Sequence, residues 1–156
     1  MTHRIAFVVI AVVAFALDRI SKLLVLDRIA VGDAVSVIGS TLEFRHTENT
    51  GIAFGLFAGA GVVVVIGTLI VGAMLFFFLL RVHPSDWLTQ IGGALITGGA
   101  LGNLVDRVHY GYVVDFIHVP RWPTFNVADV WITLGVAFVL LAQLRSTDEL
   151  PEGPTS

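Results

Sequence analysis

Four long apolar stretches divide the sequence, and charged or polar residues bound each of them. Residues 5–17, 49–80, 87–105 and 130–144 contain no Asp, Glu, Lys or Arg. They comprise 79 of the 156 residues, so all nine basic and twelve acidic side chains fall in the other 77. Long uncharged apolar stretches are typical of membrane helices. The pattern therefore predicts a membrane protein with four spans.

The first and fourth stretches are too short to cross a bilayer by themselves. At 1.5 Å per helical residue they reach about 20 and 22 Å, whereas the hydrocarbon core is about 30 Å thick. The first span must therefore extend into Asp18 and Lys22, and the fourth must begin at Asn126 and include Asp129. The predicted spans are about 5–24, 60–80, 87–105 and 126–145.

Polar residues at the ends of these spans are predicted to gather on one face of the membrane. In a four-span protein, the end of span 1, the start of span 2, the end of span 3 and the start of span 4 lie on the same side. Ionisable residues at membrane depth are expensive and by default mark function. The residues concerned are Asp18, Arg19, Lys22, Asn49, Asn103, Asp106, Arg107, Asn126 and Asp129.

The two connections on this face are also the long ones. Residues 27–48 contain short alternating apolar and polar pieces, which predict a small hairpin or sheet at the membrane surface. Residues 107–125 form a polar loop in which 112–117 is either an extended strand or a segment that dips into the interface. Gly98 and Gly102 have the spacing of a helix-packing seam.

The predicted fold class is an all-α membrane protein, with four transmembrane helices, a small β-rich element and a polar loop between helices 3 and 4. Residues 1–145 form one domain, and residues 146–156 are predicted to be a disordered tail. The segment after Arg4 resembles a cleaved signal peptide, but Asp18 and Lys22 follow at once and the apolar pattern resumes, so we expect this helix to be retained.

Composition excludes several kinds of site. Without cysteines there is no disulfide, thiolate metal site, iron–sulfur cluster or cysteine nucleophile. The net charge is −3 and no basic run occurs, so nothing supports nucleic-acid binding.

Asp18 and Lys22 are four residues apart on a helix, so they share a face and predict either an internal salt bridge or a direct role. Asn103 and Arg107 have the same spacing, and Arg107 offers a fork of donors for a carboxylate or carbonyl. Asp106, next to Arg107, is expected to face water.

Asp115 and Asp129 are the strongest candidates for chemistry. Asp115 lies in an apolar segment where an unpaired carboxylate is costly, and Asp129 begins an otherwise apolar helix. Two close carboxylates cannot both ionise cheaply, so one keeps a proton. Such a pair suits peptide hydrolysis, because the ionised Asp deprotonates water while the protonated Asp polarises the scissile carbonyl.

Other interpretations remain open at this point. His109, Asp115 and His118 are possible metal ligands, although the HExxH spacing is absent. Ser21 and Lys22 are adjacent and do not face each other on a helix, which disfavours a Ser–Lys pair. A four-span transporter or channel subunit that carries protons or cations is the main alternative from another class, and a non-catalytic membrane scaffold is a third.

Five motifs in order resemble those of the signal peptidase II family, and the resemblance runs from about residue 10 to 140. The motifs are Asp18-Arg19-Ile20-Ser21-Lys22, Asn49-Thr50-Gly51-Ile52-Ala53-Phe54, the run from Gly98 to Arg107, Val113-Val114-Asp115-Phe116 and Phe125-Asn126-Val127-Ala128-Asp129. Ile52 is bulkier than the small residue usual in the family at that position.

The resemblance implies a bacterial intramembrane aspartic endopeptidase that needs no cofactor or metal. Such an enzyme removes the signal peptide of diacylglyceryl-modified prolipoproteins before the lipidated cysteine, and globomycin is expected to inhibit it. Asp115 and Asp129 match the catalytic dyad, and Asp18 and Lys22 match a structurally supporting pair. The residues matching those that line and orient the site are Asn49, Gly51, Asn103, Arg107, Asn126 and Ala128.

The resemblance also implies a monomeric inner-membrane protein, among membrane lipids, with cytoplasmic termini and the site and β-rich element on the extracytoplasmic side. The positive-inside rule by itself predicts the reverse orientation. The expected outer side carries Arg19, Lys22, Arg28, Arg45, Arg107 and Arg121, and the expected inner side carries Arg4, Arg81 and Arg145. At least three of the outer cations belong to the motifs, so we follow the resemblance.

Overall fold

The computed structural model describes residues 2–50, 72 and 86–148. The predicted second span, 60–80, lies outside these described residues except for residue 72, and so does the predicted site residue Gly51. The described part is mostly helical with one small sheet, as the sequence predicts. Its elements are α1 (Thr2–Arg28), β1 (Ala34–Ile38), β2 (Leu42–Asn49), α2 (Trp87–Tyr110), β3 (Val113–His118) and α3 (Val127–Asp148).

Helix α1 has charged residues on its buried face and apolar residues on its exposed face. Asp18 and Lys22 lie on the buried stripe, in line with Ala11, Ala14 and Val25. A helix of a water-soluble protein has the opposite arrangement, so α1 is typical of a helix that faces lipid. The large exposed apolar residues of α1 are Ile5, Val8, Val9, Val12, Val13, Leu17, Ile20, Leu23 and Leu24.

Two of the described helices are long and apolar enough to cross a membrane by length and composition, Trp87–Tyr110 and Val127–Arg145. Helix α1 is not one of them, because Asp18, Arg19 and Lys22 interrupt its apolar run. Helix α2 extends five residues beyond the predicted end at 105, and Gly111, with a φ of 81°, caps it. Helix α3 continues to Asp148, three residues past the predicted domain end.

Glycines allow α2 to approach both of the other described helices closely. A Cβ atom at Gly98 would lie 2.5 Å from the carbonyl oxygen of Ala11 in α1. A Cβ atom at Gly99 would lie 2.6 Å from the carbonyl oxygen of Ala128 in α3. The packing seam predicted for Gly98 is therefore confirmed, and α2 lies between α1 and α3.

The three strands form an antiparallel sheet in the order β1-β2-β3, which confirms the predicted hairpin. Of the two interpretations of residues 112–117, the strand is the one observed. Val114 and Phe116 of β3 pack against the end of α1, around Val25 and Ile29. Because side chains alternate along a strand, Asp115 points away from this cluster.

Candidate functional site

Asp115 is held by two side-chain amides in the interior of the protein. It is only 2% exposed. The Asn49 Nδ2, at the end of β2, donates to the Asp115 Oδ2 at 2.8 Å. The Asn126 Nδ2, at the start of α3, donates to the Asp115 Oδ1 at 2.6 Å. The β2–β3 pairing brings Asn49 to this position, because Asn49 lies opposite Val113 in the register.

Asp129 lies in the first turn of α3 and forms a reciprocal cap with Asn126. The backbone N–H of Asn126 donates to the Asp129 Oδ2, and the backbone N–H of Asp129 donates to the Asn126 Oδ1, both at 3.1 Å. This is the geometry of a capping box, which satisfies donors at the helix start. Asp129 is half-buried and therefore more accessible than Asp115.

Asn103 of α2 connects the cap to the rest of the site. Its Nδ2 donates to the Asp129 Oδ1 at 2.9 Å. Its Oδ1 accepts from the Asn126 Nδ2 at 3.2 Å and from the Lys22 Nζ at 2.9 Å. Asn126 thus donates hydrogen bonds to both Asp115 and Asp129. Asn103, on helix α2, donates a further one to Asp129.

The predicted pair of Asp18 and Lys22 is confirmed as a fully buried salt bridge, with 2.9 Å between the Lys22 Nζ and the Asp18 Oδ2. The other oxygen of Asp18 accepts the backbone N–H of Ala128 at 3.0 Å. Asp18 therefore ties α1 to the first turn of α3, directly beside Asp129.

The expectation that Asp106 faces water is wrong. Asp106 is fully buried, and its Oδ2 lies 2.9 Å from the Lys22 Nζ. The same oxygen accepts the backbone N–H of Val114 at 3.2 Å, and its Oδ1 forms an ion pair with Arg19. Asp106 faces inward because two cations of α1 and a strand N–H next to Asp115 need an acceptor there.

Arg107 lies beside the two aspartates but does not form an ion pair within the described part of the chain. It is half-buried, and its Nη1 donates to the backbone carbonyl of Asn103 at 3.3 Å. Among the described residues this is the one hydrogen bond that its guanidinium makes, so its other donors can serve a ligand.

The buried position of Asp115 changes its acidity. Burial, together with the negative charge of Asp129, raises the pKa of Asp115 from 3.8 to about 7. The amide hydrogen bonds from Asn49 and Asn126 act in the opposite direction but are outweighed. Asp115 therefore binds a proton much more readily than an ordinary carboxylate, as a dyad that shares one proton requires.

Gly102 leaves the space that the Asp18 carboxylate occupies, because a Cβ atom at Gly102 would collide with that carboxylate. We expect Gly102→Ala to displace Asp18 from Lys22 and Ala128 and to lower the free energy of unfolding by about 3 kcal/mol. Thermal unfolding of the purified protein in detergent would measure the loss. Leu101→Ala is the matched control, because Leu101 is exposed on the same helix and should be nearly neutral. Equal stabilities of the two variants would contradict this prediction.

The alternative metal site is not formed. Within residues 2–50, 72 and 86–148, no three His, Asp or Glu side chains are grouped as metal ligands. His118 contacts Thr124 through its Nδ1 at 3.3 Å, and His109 packs its ring against Tyr110.

The geometry thus brings together eight of the ten predicted site residues on three helices and two strands, places Arg107 beside them and leaves only Gly51 undescribed. Sequence reasoning placed Arg19 and Asp106 on the same face but did not count them among the site residues. The residues brought together are Asp18, Lys22, Asn49, Asn103, Asp115, Asn126, Ala128 and Asp129.

Comparison with known proteins yields one consistent family. A "Lipoprotein signal peptidase" of Moorella thermoacetica is 38% identical over 148 residues, covering 95% of this chain and 99% of that protein. One of Clostridium novyi is 37% identical over 143 residues, covering 88% of this chain and 97% of that protein. These matches give no support to a transporter.

Two solved structures, each described as a bacterial membrane enzyme, have the same fold. One superposes with a TM-score of 0.88 at 31% identity, covering 97% of this chain and 94% of the other. The second superposes with a TM-score of 0.82 at 32% identity, covering 90% of this chain and 93% of the other. The family model of signal peptidase (SPase) II matches residues 10–145. The chain therefore belongs to the signal peptidase II family of aspartic proteases.

Proposed function

We propose that this protein is the membrane endopeptidase that removes the signal peptide from prolipoproteins, cutting before the diacylglyceryl-modified cysteine. The observation that carries the proposal is the position of Asn126. Its side-chain amide donates to Asp115 while its backbone N–H donates to Asp129, so one residue orients both carboxylates. The names of the relatives agree with this activity.

Asp115 is the acid and Asp129 the base in the mechanism that we propose. Asp115, with its raised pKa, holds a proton and donates it to the oxygen of the scissile carbonyl. Asp129 is the more accessible carboxylate and takes a proton from the attacking water. That proton then passes to the amine that leaves when the tetrahedral intermediate collapses. Neither step needs a metal or cofactor.

The charges of the cluster favour one shared proton. The described cluster contains four carboxylates (Asp18, Asp106, Asp115, Asp129) and three cations (Arg19, Lys22, Arg107). With every group ionised the cluster would carry one net negative charge, and one proton on the dyad makes it neutral. A neutral cluster is favoured where little water is available to solvate a charge.

The other predicted site residues support this chemistry in different ways. Asn49, Asn103 and Asn126 orient the two carboxylates, and Asp18 fixes Ala128 at the start of α3. Arg107 holds a carbonyl of the substrate with its free donors. Gly51 is proposed, from the resemblance of its motif, to line the site next to Asn49.

Purified protein in detergent should cleave a diacylglyceryl-modified prolipoprotein and leave the unmodified precursor intact. Activity should survive EDTA, because the dyad activates water without a metal. Absence of cleavage of the lipidated precursor, or a loss with EDTA that added metal restores, would refute the proposal. Globomycin should inhibit the reaction.

Cleavage should slow as the pH rises through about 7. Asp115 must be protonated to polarise the carbonyl, and above its pKa of about 7 the protonated fraction falls about tenfold per pH unit. Initial rates between pH 5 and 9, with thermal unfolding measured at each pH to exclude inactivation, would test this. A rate that keeps increasing up to pH 9 would contradict the assignment of Asp115 as the acid.

We also propose that the protein is a monomer that crosses the bacterial inner membrane four times, at about residues 5–24, 60–80, 87–105 and 126–145. The amino and carboxyl ends are then cytoplasmic, and the sheet and the dyad lie on the extracytoplasmic side among membrane lipids. The chain has no cysteine, so single cysteines introduced at 81–86 report orientation cleanly. Labelling of these positions from outside the cell would show that the orientation is the reverse of the one proposed.

A further inference from the structure

We propose that Lys22 is a positioning residue for Asp129, acting through the side-chain amide of Asn103. This inference rests on the proposed function, because it assigns Asp129 the task of accepting a proton from water. It gives Lys22 a role in the reaction that is separate from closing the salt bridge with Asp18.

The ammonium group of Lys22 lies close to three different acceptors and donates a hydrogen bond to one of them, the side-chain oxygen of Asn103. Its Nζ lies 2.9 Å from the Asp18 Oδ2, 2.9 Å from the Asp106 Oδ2 and 2.9 Å from the Asn103 Oδ1. The side chain is fully buried, so water does not compete for its hydrogens. Lys22 is therefore held in one place and can impose an orientation on a neighbour.

Lys22 decides which way the Asn103 amide points. An ammonium group has only donors, so it can face the oxygen of an amide but not its NH₂ group. The Asn126 Nδ2 donates to the same oxygen at 3.2 Å and reinforces this orientation. The NH₂ group of Asn103 must then point the other way, where it donates to the Asp129 Oδ1 at 2.9 Å.

The hydrogen bond from Asn103 holds the Asp129 Oδ1 in place. The other donor to Asp129 is the backbone N–H of Asn126. The charged groups facing it are Arg107 on α2 and Asp115 on β3. Without Lys22 the Asn103 oxygen keeps only the longer hydrogen bond from the Asn126 Nδ2, so the NH₂ group that holds Asp129 is oriented less firmly.

Lys22 and Arg19 are matched by Asp18 and Asp106 within the same buried cluster, so these four charges sum to zero. The direct connection from Lys22 to Asp129 is the pair of hydrogen bonds through the Asn103 amide.

The two cations of the cluster supply a matched pair of variants. Lys22→Met and Arg19→Met each remove one positive charge next to Asp106, but only Lys22 touches Asn103. For Lys22→Met we expect kcat to fall about tenfold with KM unchanged, because the base is displaced while substrate binding is kept. For Arg19→Met we expect a much smaller fall in kcat, even if stability falls as far.

A charge-neutral variant keeps the test valid if Lys22→Met does not fold. Asp18→Asn combined with Lys22→Met removes both members of one salt bridge and leaves Asp106 with Arg19 and the Val114 N–H. The same fall in kcat is expected. Adding Asn103→Ala to Lys22→Met should lower kcat no further than Asn103→Ala does alone, because both act on one hydrogen bond.

Equal kcat values for Lys22→Met and Arg19→Met, or fully additive effects of the Lys22 and Asn103 changes, would overturn the role of Lys22. Failure of the proposed function is seen separately, in the unmodified protein. If that protein does not cleave a lipidated precursor the function is wrong, whereas active protein with an unchanged kcat in Lys22→Met refutes only this inference.

Discussion

Replacing either Asp115 or Asp129 with asparagine should lower the rate of prolipoprotein cleavage by about 10³-fold. Asparagine at position 115 has no acidic proton to give the carbonyl, and asparagine at position 129 is too weak a base to deprotonate water. Each change therefore removes a proton transfer of the kind usually worth about 10²–10⁴-fold. Initial rates with a lipidated precursor, measured at equal amounts of folded protein, would show the loss. Undiminished activity in either variant would remove that residue from the dyad.

Asp27→Asn is a matched control for both variants. It makes the same chemical change at a carboxylate that is highly exposed at the end of α1, and the rate should be unchanged. A fall in activity with this variant as large as with the others would point to a general effect of lost negative charge.

The stability of Asp115→Asn provides a second control, because it should be inactive without being unfolded. The pKa of Asp115 is raised in the folded protein, so below about pH 4 the carboxyl is protonated in both states and costs nothing. From about pH 4 to 7 the unfolded chain releases the proton first, and the folded state loses stability. The asparagine variant avoids this loss, but its single amide oxygen can accept from only one of Asn49 and Asn126, so at pH 8 it should melt close to the unmodified protein rather than above it.

The convergence of the polar residues could be predicted from the sequence because it follows from the order of the apolar stretches. Short first and last stretches required Asp18, Lys22 and Asp129 to be included in helices, and the structure includes all three. The local sequence around Asp115 does not distinguish two structures, since an apolar run of this length fits a strand and a dipping segment equally well. The hydrogen-bonded pairing of this segment with β2 makes it a strand, and pairing with a distant segment is not visible in a local pattern.

The end of α2 and the role of Asp106 could not be read from the local pattern for a related reason. The apolar stretch stops at 105, but the helix continues to Tyr110 because its polar last turns have partners on α1. A signal was nevertheless present. Gly98, Gly102 and Asp106 are four residues apart in succession, so the helix face that meets α1 at the glycines also presents Asp106 to it.

Asp106 connects the helix pair to the strand that carries Asp115. Its two oxygens serve Arg19 and Lys22 from α1 and the backbone N–H of Val114 from β3. A buried ion pair is weak evidence for net stability, but removing one partner leaves the opposite charge buried without compensation. The cost of losing Asp106 should therefore greatly exceed that of losing an exposed carboxylate.

Asp106→Ala should lower the free energy of unfolding by about 3–5 kcal/mol, the usual penalty for breaking a buried ion pair. Asp106→Asn should lose less, because its amide oxygen still accepts one hydrogen bond. Reversible unfolding in mixed detergent micelles would give the values. Glu43→Ala is the control, since Glu43 pairs with Arg45 at a partly exposed site where a salt bridge contributes about 0–1 kcal/mol. A loss for Asp106→Ala no larger than for Glu43→Ala would show that Arg19 and Lys22 are solvated without Asp106, and that β3 is held beside the helices by its apolar contacts alone.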